Sequence, residues 1–241
     1  MLPAKLNPRI DRVHFALRAT GVRPEQFDPK RSGIHTRGYL PHVKREGVRY
    51  FVTFRLVDSL PYDVLMKLQQ ERSVRLRGYI AQQAGGKSLG TTLPSRGPLE
   101  ALQRDYVRKL ESYLDKSLGA CWLKRPEIAD MVAGALRYFD NQRYQLRAWV
   151  VMPNHVHAVL WPLPNNTLSA ILQSWKRYTS REANKILGRT GKLFWQPESF
   201  DHWIRDDEEY ERCCRYVVNN PVKARFCATP SDWRWSSAAR S

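Results

Sequence analysis

The chain has 241 residues and a formal net charge of +17, because 40 Lys and Arg residues face 23 Asp and Glu residues. This excess favours a polyanionic partner, although charge alone does not separate DNA from RNA or an anionic membrane surface. No apolar run reaches the roughly 18 residues of a spanning helix, and no signal peptide opens the chain. We therefore expect no membrane partner and a bacterial cytoplasmic, nucleoid-associated protein with reduced cysteines.

The first half of the chain mixes irregular and helical patterns. Residues 1–47 form a basic arm without sustained periodicity, which we interpret as mostly irregular. The elements predicted after it are a strand at Arg49–Val57, a helix at Tyr62–Gln83, a flexible loop at 85–98 and a helix at Leu99–Ser117.

The second half alternates helices and strands more clearly. The predicted helices are Pro126–Asn141, Thr167–Leu187 and Asp206–Asn219, and the strands are Tyr144–Met152 and His155–Trp161, with a last strand or bent hairpin at Lys192–Trp195 and Phe200–Ile204. This order predicts an α+β domain at 48–228, with an antiparallel sheet that carries helices on one face and a C-terminal tail at 229–241.

Two histidines in the predicted strand after residue 154 form the strongest motif. Side chains alternate along a strand, so His155 and His157 project from one face while Val156 projects from the other. Two imidazoles on one face are able to hold a divalent metal ion, although ordinary histidines of a sheet give the same pattern.

A second motif lies about sixty residues downstream. Tyr216 and Asn220 are four residues apart, so in a helix they share one face. The Asn220 amide oxygen is a candidate third ligand, with the phenol beside the metal. The alternative makes Tyr216 a core residue and Asn220 a C-terminal cap. Pro221 is expected to stop the helix, because proline has no N–H to donate.

The motifs occur in an order that closely resembles the REP-associated tyrosine transposases, a branch of the single-tyrosine HUH transposases. The shared residues are His155-Val-His157, Phe194-Trp-Gln-Pro197, Phe200-Asp-His-Trp-Ile-Arg205, Tyr216, Asn219-Asn-Pro-Val-Lys223 and Ser231-Asp-Trp-Arg-Trp-Ser-Ser237. The resemblance is dense from about Asn141 to Ser237. It implies a ferredoxin-like HUH core in which His155, His157 and Asn220 bind the metal and Tyr216 is the nucleophile. The stretch 62–125 then resembles an enlarged first crossover without an assigned role.

The chemistry of this residue set is that of phosphodiester transfer. A cation neutralises charge that develops on the phosphate oxygens, and it helps a phenol with a pKa near 10 to ionise. Two imidazoles and an amide leave coordination positions open for phosphate, and they suit Mg²⁺ or Mn²⁺. A phosphotyrosine product retains the energy of the broken bond, which favours strand rejoining over hydrolysis.

The family resemblance also implies a substrate. We expect single-stranded DNA with a hairpin at palindromic repeat ends, cleaved through a 5′-phosphotyrosine intermediate by a monomer or a homodimer. The candidate DNA-binding residues are Lys176, Arg177, Arg181, Trp195, Arg205, Arg215 and Lys223. A domesticated hairpin-binding protein without transposition activity is the alternative function, and a hydrolase of small phosphates is a third class that the positive charge disfavours.

Overall fold

The computed structural model describes residues 33–37, 40–44, 47–85 and 96–239. Its strands are β1 (Gly33–Arg37), β2 (Leu40–Lys44), β3 (Tyr50–Arg55), β4 (Tyr144–Val151), β5 (His155–Pro162) and β6 (Phe200–Trp203). Its helices are α1 (Tyr62–Gly85), α2 (Arg96–Leu114), α3 (Pro126–Tyr138), α4 (Leu168–Ile186) and α5 (Asp207–Lys223).

A four-stranded antiparallel sheet forms the centre of the domain, in the order β4-β5-β3-β6. The first and third of its strands in chain order, β3 and β5, pair in the middle. Together with the crossovers through α3 and α4, this is the topology of a ferredoxin-like sheet, and the predicted α+β fold class is confirmed.

Apolar side chains cover both faces of this sheet. Val52, Phe54, Val156 and Leu160 pack under α3 and α4 in one buried cluster. The opposite face carries a second cluster, in which Phe51, Val150 and Val159 meet Val217 of α5. The two crossover helices therefore lie on one face, as predicted, while the helix that carries Tyr216 covers the other face.

The N-terminal arm differs in part from the prediction. β1 and β2 form an antiparallel pair in which Ile34 lies opposite Val43, so residues 33–37 and 40–44 are not irregular as predicted. Two strands of five residues give a weak signal in a segment rich in proline and basic residues. The prediction for residues 1–32 lies outside the described residues, as does most of the predicted loop at 85–98.

The helix α5 also differs from the prediction, because it continues through Pro221 to Lys223. Proline costs this helix one hydrogen bond, but the last turn still closes through Ala224 N–H, which donates to the Asn220 carbonyl at 2.9 Å. Pro221 is itself buried. The expectation that Pro221 stops the helix is therefore wrong, and Asn220 lies within the helix rather than capping it.

The C-terminal tail adds to the edge of the sheet at β4. The Val151 N–H donates to the Trp235 carbonyl at 2.8 Å, and the Ser237 N–H donates to the Trp149 carbonyl at 2.9 Å. These bonds satisfy backbone groups that an edge strand would otherwise expose to solvent. Among the described residues, no helix is both long enough and apolar enough to cross a bilayer.

The turn after α2 supplies the first prediction. Gly119 has φ +85°, and a Cβ at this position would collide with the backbone carbonyl of Asp58. Gly188 also has positive φ, at +65°, but it faces open space. We expect Gly188→Ala to lower the free energy of unfolding by about 1 kcal/mol through left-handed strain alone. Gly119→Ala should cost roughly 1–3 kcal/mol more, because the backbone has to move.

Urea denaturation of both variants measures this difference. Equal losses of stability in Gly119→Ala and Gly188→Ala would show that the turn beside Asp58 adjusts without strain.

Candidate active site and metal centre

The two histidines of β5 face α5 from the same side of the sheet. Both side chains are 0% exposed. Their Nε2 atoms lie 3.0 Å apart, and the two rings are steeply inclined, at 75° to each other. The period of two in a strand thus places both imidazoles at one buried point, as the sequence predicted.

The far nitrogen of each ring is held by a neighbouring polar side chain. His155 Nδ1 lies 2.7 Å from the Asn154 amide oxygen, and His157 Nδ1 lies 2.8 Å from the Thr53 hydroxyl. These bonds fix the orientation of both rings, so that each Nε2 points into the site. Asn154 is anchored in turn, because its amide group donates to the Leu118 carbonyl at 3.2 Å.

The helix α5 brings Tyr216 and Asn220 to the same point. The ring centroids of Tyr216 and His157 lie 5.5 Å apart, and the ring of Phe51 stacks on His157 at 5.5 Å. Asn220 is 0% exposed, and its amide nitrogen lies 3.4 Å from His157 Nε2. The spacing of four residues in a helix therefore puts a phenol and an amide beside the two imidazoles.

A carboxylate from the enlarged crossover completes the cluster. Glu111 of α2 is buried, and its Oε2 accepts a hydrogen bond from the Tyr216 hydroxyl. The same oxygen lies 3.3 Å from His157 Nε2. The predicted site thus gains a charged group from the region 62–125, to which the sequence assigned no role.

Burial and charge set the protonation of this cluster. Burial opposes ionisation of Glu111, but the neighbouring His157 and the bond from Tyr216 outweigh it and hold the pKa of that carboxyl at about 2. Burial, with His157 beside it, lowers the pKa of His155 well below its usual value, so this ring is neutral. Burial and then the charge of Glu111 raise the pKa of Tyr216 far above its usual range. Both effects favour the protonated phenol.

The donor atoms suit a divalent metal ion. Glu111, His155 and His157 each offer one ligand atom, and these atoms lie within 4.8 Å of one another. The amide oxygen of Asn220 is also buried, and it has no hydrogen-bond partner among the described residues. Neutral imidazole, carboxylate and amide oxygen are ligands of Mn²⁺ and Mg²⁺, so the residues present fit such an ion.

The predicted DNA-binding residues of α4 lie away from this cluster. Arg177 and Arg181 are exposed, on the helix that covers the sheet face opposite to the histidines. Lys176 is turned toward the protein, where its ammonium group donates to the carbonyls of Gln196 and Pro197 at 2.5 and 2.8 Å. Burial lowers the pKa of Lys176 to about 8.

The other predicted basic residues lie on α5 or just before it. Arg215 is exposed on this helix, Arg205 pairs with Glu209 at 3.1 Å, and Lys223 pairs with Asp115 of the crossover at 2.7 Å. Trp195 is only 4% exposed, and its indole N–H donates to Thr179 at 2.8 Å. The ring is therefore part of the core under α4, and we do not retain it as a residue that stacks on bases.

Glu111 is the residue of this cluster that the sequence did not predict. It belongs to no local motif, and it lies 44 residues before His155 in the chain. One signal was present: Glu111 follows Val107 by four residues, and Val107 belongs to the apolar cluster under α5. An acidic residue on the apolar face of a predicted helix is costly to bury without a partner, and so indicates a buried contact.

Comparison with known proteins agrees with this geometry. The family model described as "Transposase IS200 like" matches residues 126–220, which contain both histidines, Tyr216 and Asn220. The match confirms, over this segment, the resemblance to the single-tyrosine transposases that the motifs predicted.

Two individual proteins are similar to part of this chain. A REP-associated tyrosine transposase of Escherichia coli (strain K12) is 32% identical over 100 residues, which cover 42% of this chain and 58% of that protein. A relative from Haemophilus influenzae is 26% identical over 111 residues and is covered over 62% of its length. This chain thus spans about three fifths of the curated relatives it matches.

A solved structure described as a REP-associated tyrosine transposase bound to a REP hairpin is also similar. It has a TM-score of 0.42 and 18% identity, with coverage of 85% of this chain and 82% of that one.

Proposed function

We propose that the protein is a metal-dependent single-stranded DNA endonuclease and strand transferase, a transposase that acts at hairpin-forming repeats. The observation that carries this proposal is the convergence of Tyr216, the two histidines and Asn220 at one buried point. The similarity to REP-associated tyrosine transposases and the net charge of +17 support it. Such a protein works on DNA in the bacterial cytoplasm.

The reaction follows from the chemistry of the site. Tyr216 attacks a phosphodiester in line, a bond forms between its phenolic oxygen and phosphorus, and the bond from phosphorus to the 3′ oxygen breaks. The proton lost by the phenol is balanced by the proton that the departing 3′ oxygen gains. The products are a 5′-phosphotyrosine and a free 3′-hydroxyl, and attack by such a hydroxyl on the phosphotyrosine rejoins strands.

Each residue has a distinct part in this reaction. His155, His157 and Asn220 would hold Mg²⁺ or Mn²⁺, which neutralises charge on the phosphate oxygens and favours ionisation of the phenol. Asn154 and Thr53 keep the imidazoles aimed at the site. Phe51 packs against both His157 and Tyr216, so it fixes the distance between nucleophile and ligand.

Three exposed arginines are assigned to contacts with DNA outside the metal centre. Arg215 on α5 lies one residue before the nucleophile, and we assign it to the phosphates beside the cleaved bond. Arg177 and Arg181 lie on the far face of the sheet, where they would contact the hairpin stem rather than the scissile phosphate. Lys176, Arg205 and Lys223 already have protein partners, so we propose that they support the DNA-binding surface through those contacts.

Removal of the nucleophilic hydroxyl tests the central assignment. We expect Tyr216→Phe to keep the fold and hairpin binding and to abolish cleavage of a hairpin-bearing oligonucleotide, because the ring remains and only the nucleophile is lost. Tyr178→Phe on α4 is the matched control, since Tyr178 is exposed, and it should cleave as the wild type does. Cleavage at the wild-type rate by Tyr216→Phe in a denaturing gel assay would assign the nucleophile elsewhere.

Metal dependence is tested through the histidines. His155→Ala and His157→Ala should each abolish cleavage in Mg²⁺ or Mn²⁺, because one imidazole and one amide hold a divalent ion poorly. EDTA should do the same to the wild type. His202→Ala is the control, because His202 pairs with Glu209 outside the cluster, and it should retain cleavage. Full activity in excess EDTA would contradict a metal-dependent mechanism.

The form of the substrate gives a further prediction. Opening a duplex costs a few kcal/mol for each unstacked base, so cleavage of the blunt duplex should be slower by a factor on the order of 100. The comparison uses one sequence, once as a single strand beside its hairpin and once fully paired. Binding should also weaken as salt rises, because phosphate neutralisation releases counterions. Equal rates on both substrates would indicate an ordinary duplex nuclease.

A further inference from the structure

The crossover helices place one acidic side chain inside the cluster around His157. Glu111 is 5% exposed, and its Oε1 is withdrawn from solvent. Its Oε2 accepts a hydrogen bond from Tyr216 and lies 3.3 Å from His157 Nε2, while Oε1 has no hydrogen-bond partner among the described residues. A buried carboxylate oxygen without a partner is costly, because the water it gave up has not been replaced.

A second unsatisfied oxygen belongs to the same cluster. Asn220 Oδ1 is buried and likewise has no hydrogen-bond partner in the part of the chain that the structure describes. The Asn220 amide nitrogen and Glu111 Oε2 lie 3.4 and 3.3 Å from His157 Nε2, which is 3.0 Å from His155 Nε2. Buried ring nitrogens and side-chain oxygens gathered this closely are an arrangement that a cation satisfies.

We propose that Glu111 is a ligand of the same divalent ion, so that the crossover helices α1 and α2 complete the metal centre. This inference rests on the proposed function, and it changes the donor set from two imidazoles and an amide to a set with a carboxylate. A hard anionic oxygen raises affinity for Mn²⁺ and Mg²⁺, which a neutral nitrogen-rich set binds less well.

The position of Glu111 depends on how the crossover is fixed to the domain. Asp115, directly after the end of α2 and four residues beyond Glu111, pairs with Lys223 of α5 at 2.7 Å. Within the crossover, α1 and α2 pack through an apolar cluster that includes Leu68 and Leu110, and the exposed ion pair between Lys109 and Glu71, at 2.8 Å, adds little to this packing. Because Glu111 would contribute to metal binding only in this arrangement, metal binding and docking of the crossover stabilise each other.

Tyr216 competes with the metal for the same carboxylate. Its hydroxyl bonds to Glu111 Oε2. An oxygen that binds the ion would accept the hydrogen bond from Tyr216 less strongly, so the two contacts oppose each other. Tyr216→Phe should therefore bind metal at least as tightly as the wild type, although it lacks the nucleophile.

The test is a titration of the 241-residue protein with Mn²⁺ in the absence of DNA. Binding of Mn²⁺ is measured by calorimetry and by the decrease in the electron paramagnetic resonance signal of free Mn²⁺. Glu111→Gln preserves shape and removes the charge, and we expect it to weaken Mn²⁺ binding by roughly 10-fold or more. Glu71→Gln, on the same pair of helices but outside the cluster, is the matched control and should stay within about twofold of the wild type, as a surface ion pair contributes little.

Thermal unfolding provides a second readout. Saturating Mn²⁺ should raise the Tm of the wild type and of Glu71→Gln, and it should raise that of Glu111→Gln much less. If Glu111→Gln folds poorly, Glu111→Asp keeps the charge but withdraws the oxygens, and it should bind Mn²⁺ with reduced affinity.

The outcomes separate this inference from the proposed function. Wild-type Mn²⁺ affinity in Glu111→Gln, together with loss of binding in His157→Ala, would overturn the role of Glu111 and leave the metal-dependent function intact. Wild-type affinity in both variants would instead remove the metal centre on which the proposed function depends. Loss of Mn²⁺ binding in both variants, with binding retained in Glu71→Gln, supports both.

Discussion

The contact among Glu111, His157 and Tyr216 is the constraint on which the rest of the structure depends. It joins the crossover, the central sheet and the last helix, which are separated by 46 and 59 residues in the chain. A carboxylate, an imidazole and a phenol are stable in a buried position only when they satisfy one another. Their packing therefore fixes α2 and α5 on the same face of the sheet, at the point where the two histidines project.

The division of the sheet into two faces follows from this requirement. The face under α3 and α4 is filled with aliphatic and aromatic side chains, and some of its polar groups bond to one another, as where Trp175 donates to the Tyr144 hydroxyl at 2.8 Å. On the opposite face, the polar cluster of Glu111, His155 and His157 replaces part of the apolar packing. Packing of aliphatic and aromatic side chains is thus more extensive on one side of the sheet, and the candidate site lies on the other.

The sequence predicted the parts of this arrangement that depend on local periodicity. Alternation in β5 placed His155 and His157 on one face, and the helical spacing of four placed Tyr216 beside Asn220. Both features depend on neighbours in the chain, so no tertiary information was needed. The strand pairing was predicted only as a class, because register depends on which apolar faces meet across the sheet.

The features that sequence missed depend on distant contacts. Glu111 belongs to no sequence motif, and it contacts Tyr216 only because the fold brings α2 beside α5. Pro221 was expected to end the helix, but a buried position in the last turn stabilises a residue that local preference disfavours. Trp195 was a candidate for base stacking on its composition alone, and its bond to Thr179 shows that it belongs to the core.

A covalent-trapping experiment tests the central claim most directly. The protein is incubated with Mn²⁺ and a labelled single-stranded oligonucleotide that carries a hairpin, and the trapped adduct is digested and mapped by mass spectrometry. We predict a 5′-phosphate of the DNA joined to the phenolic oxygen of Tyr216, and no adduct when the ion is chelated. Attachment to Tyr210 or Tyr178, or cleavage without any covalent adduct, would contradict the assignment of this site.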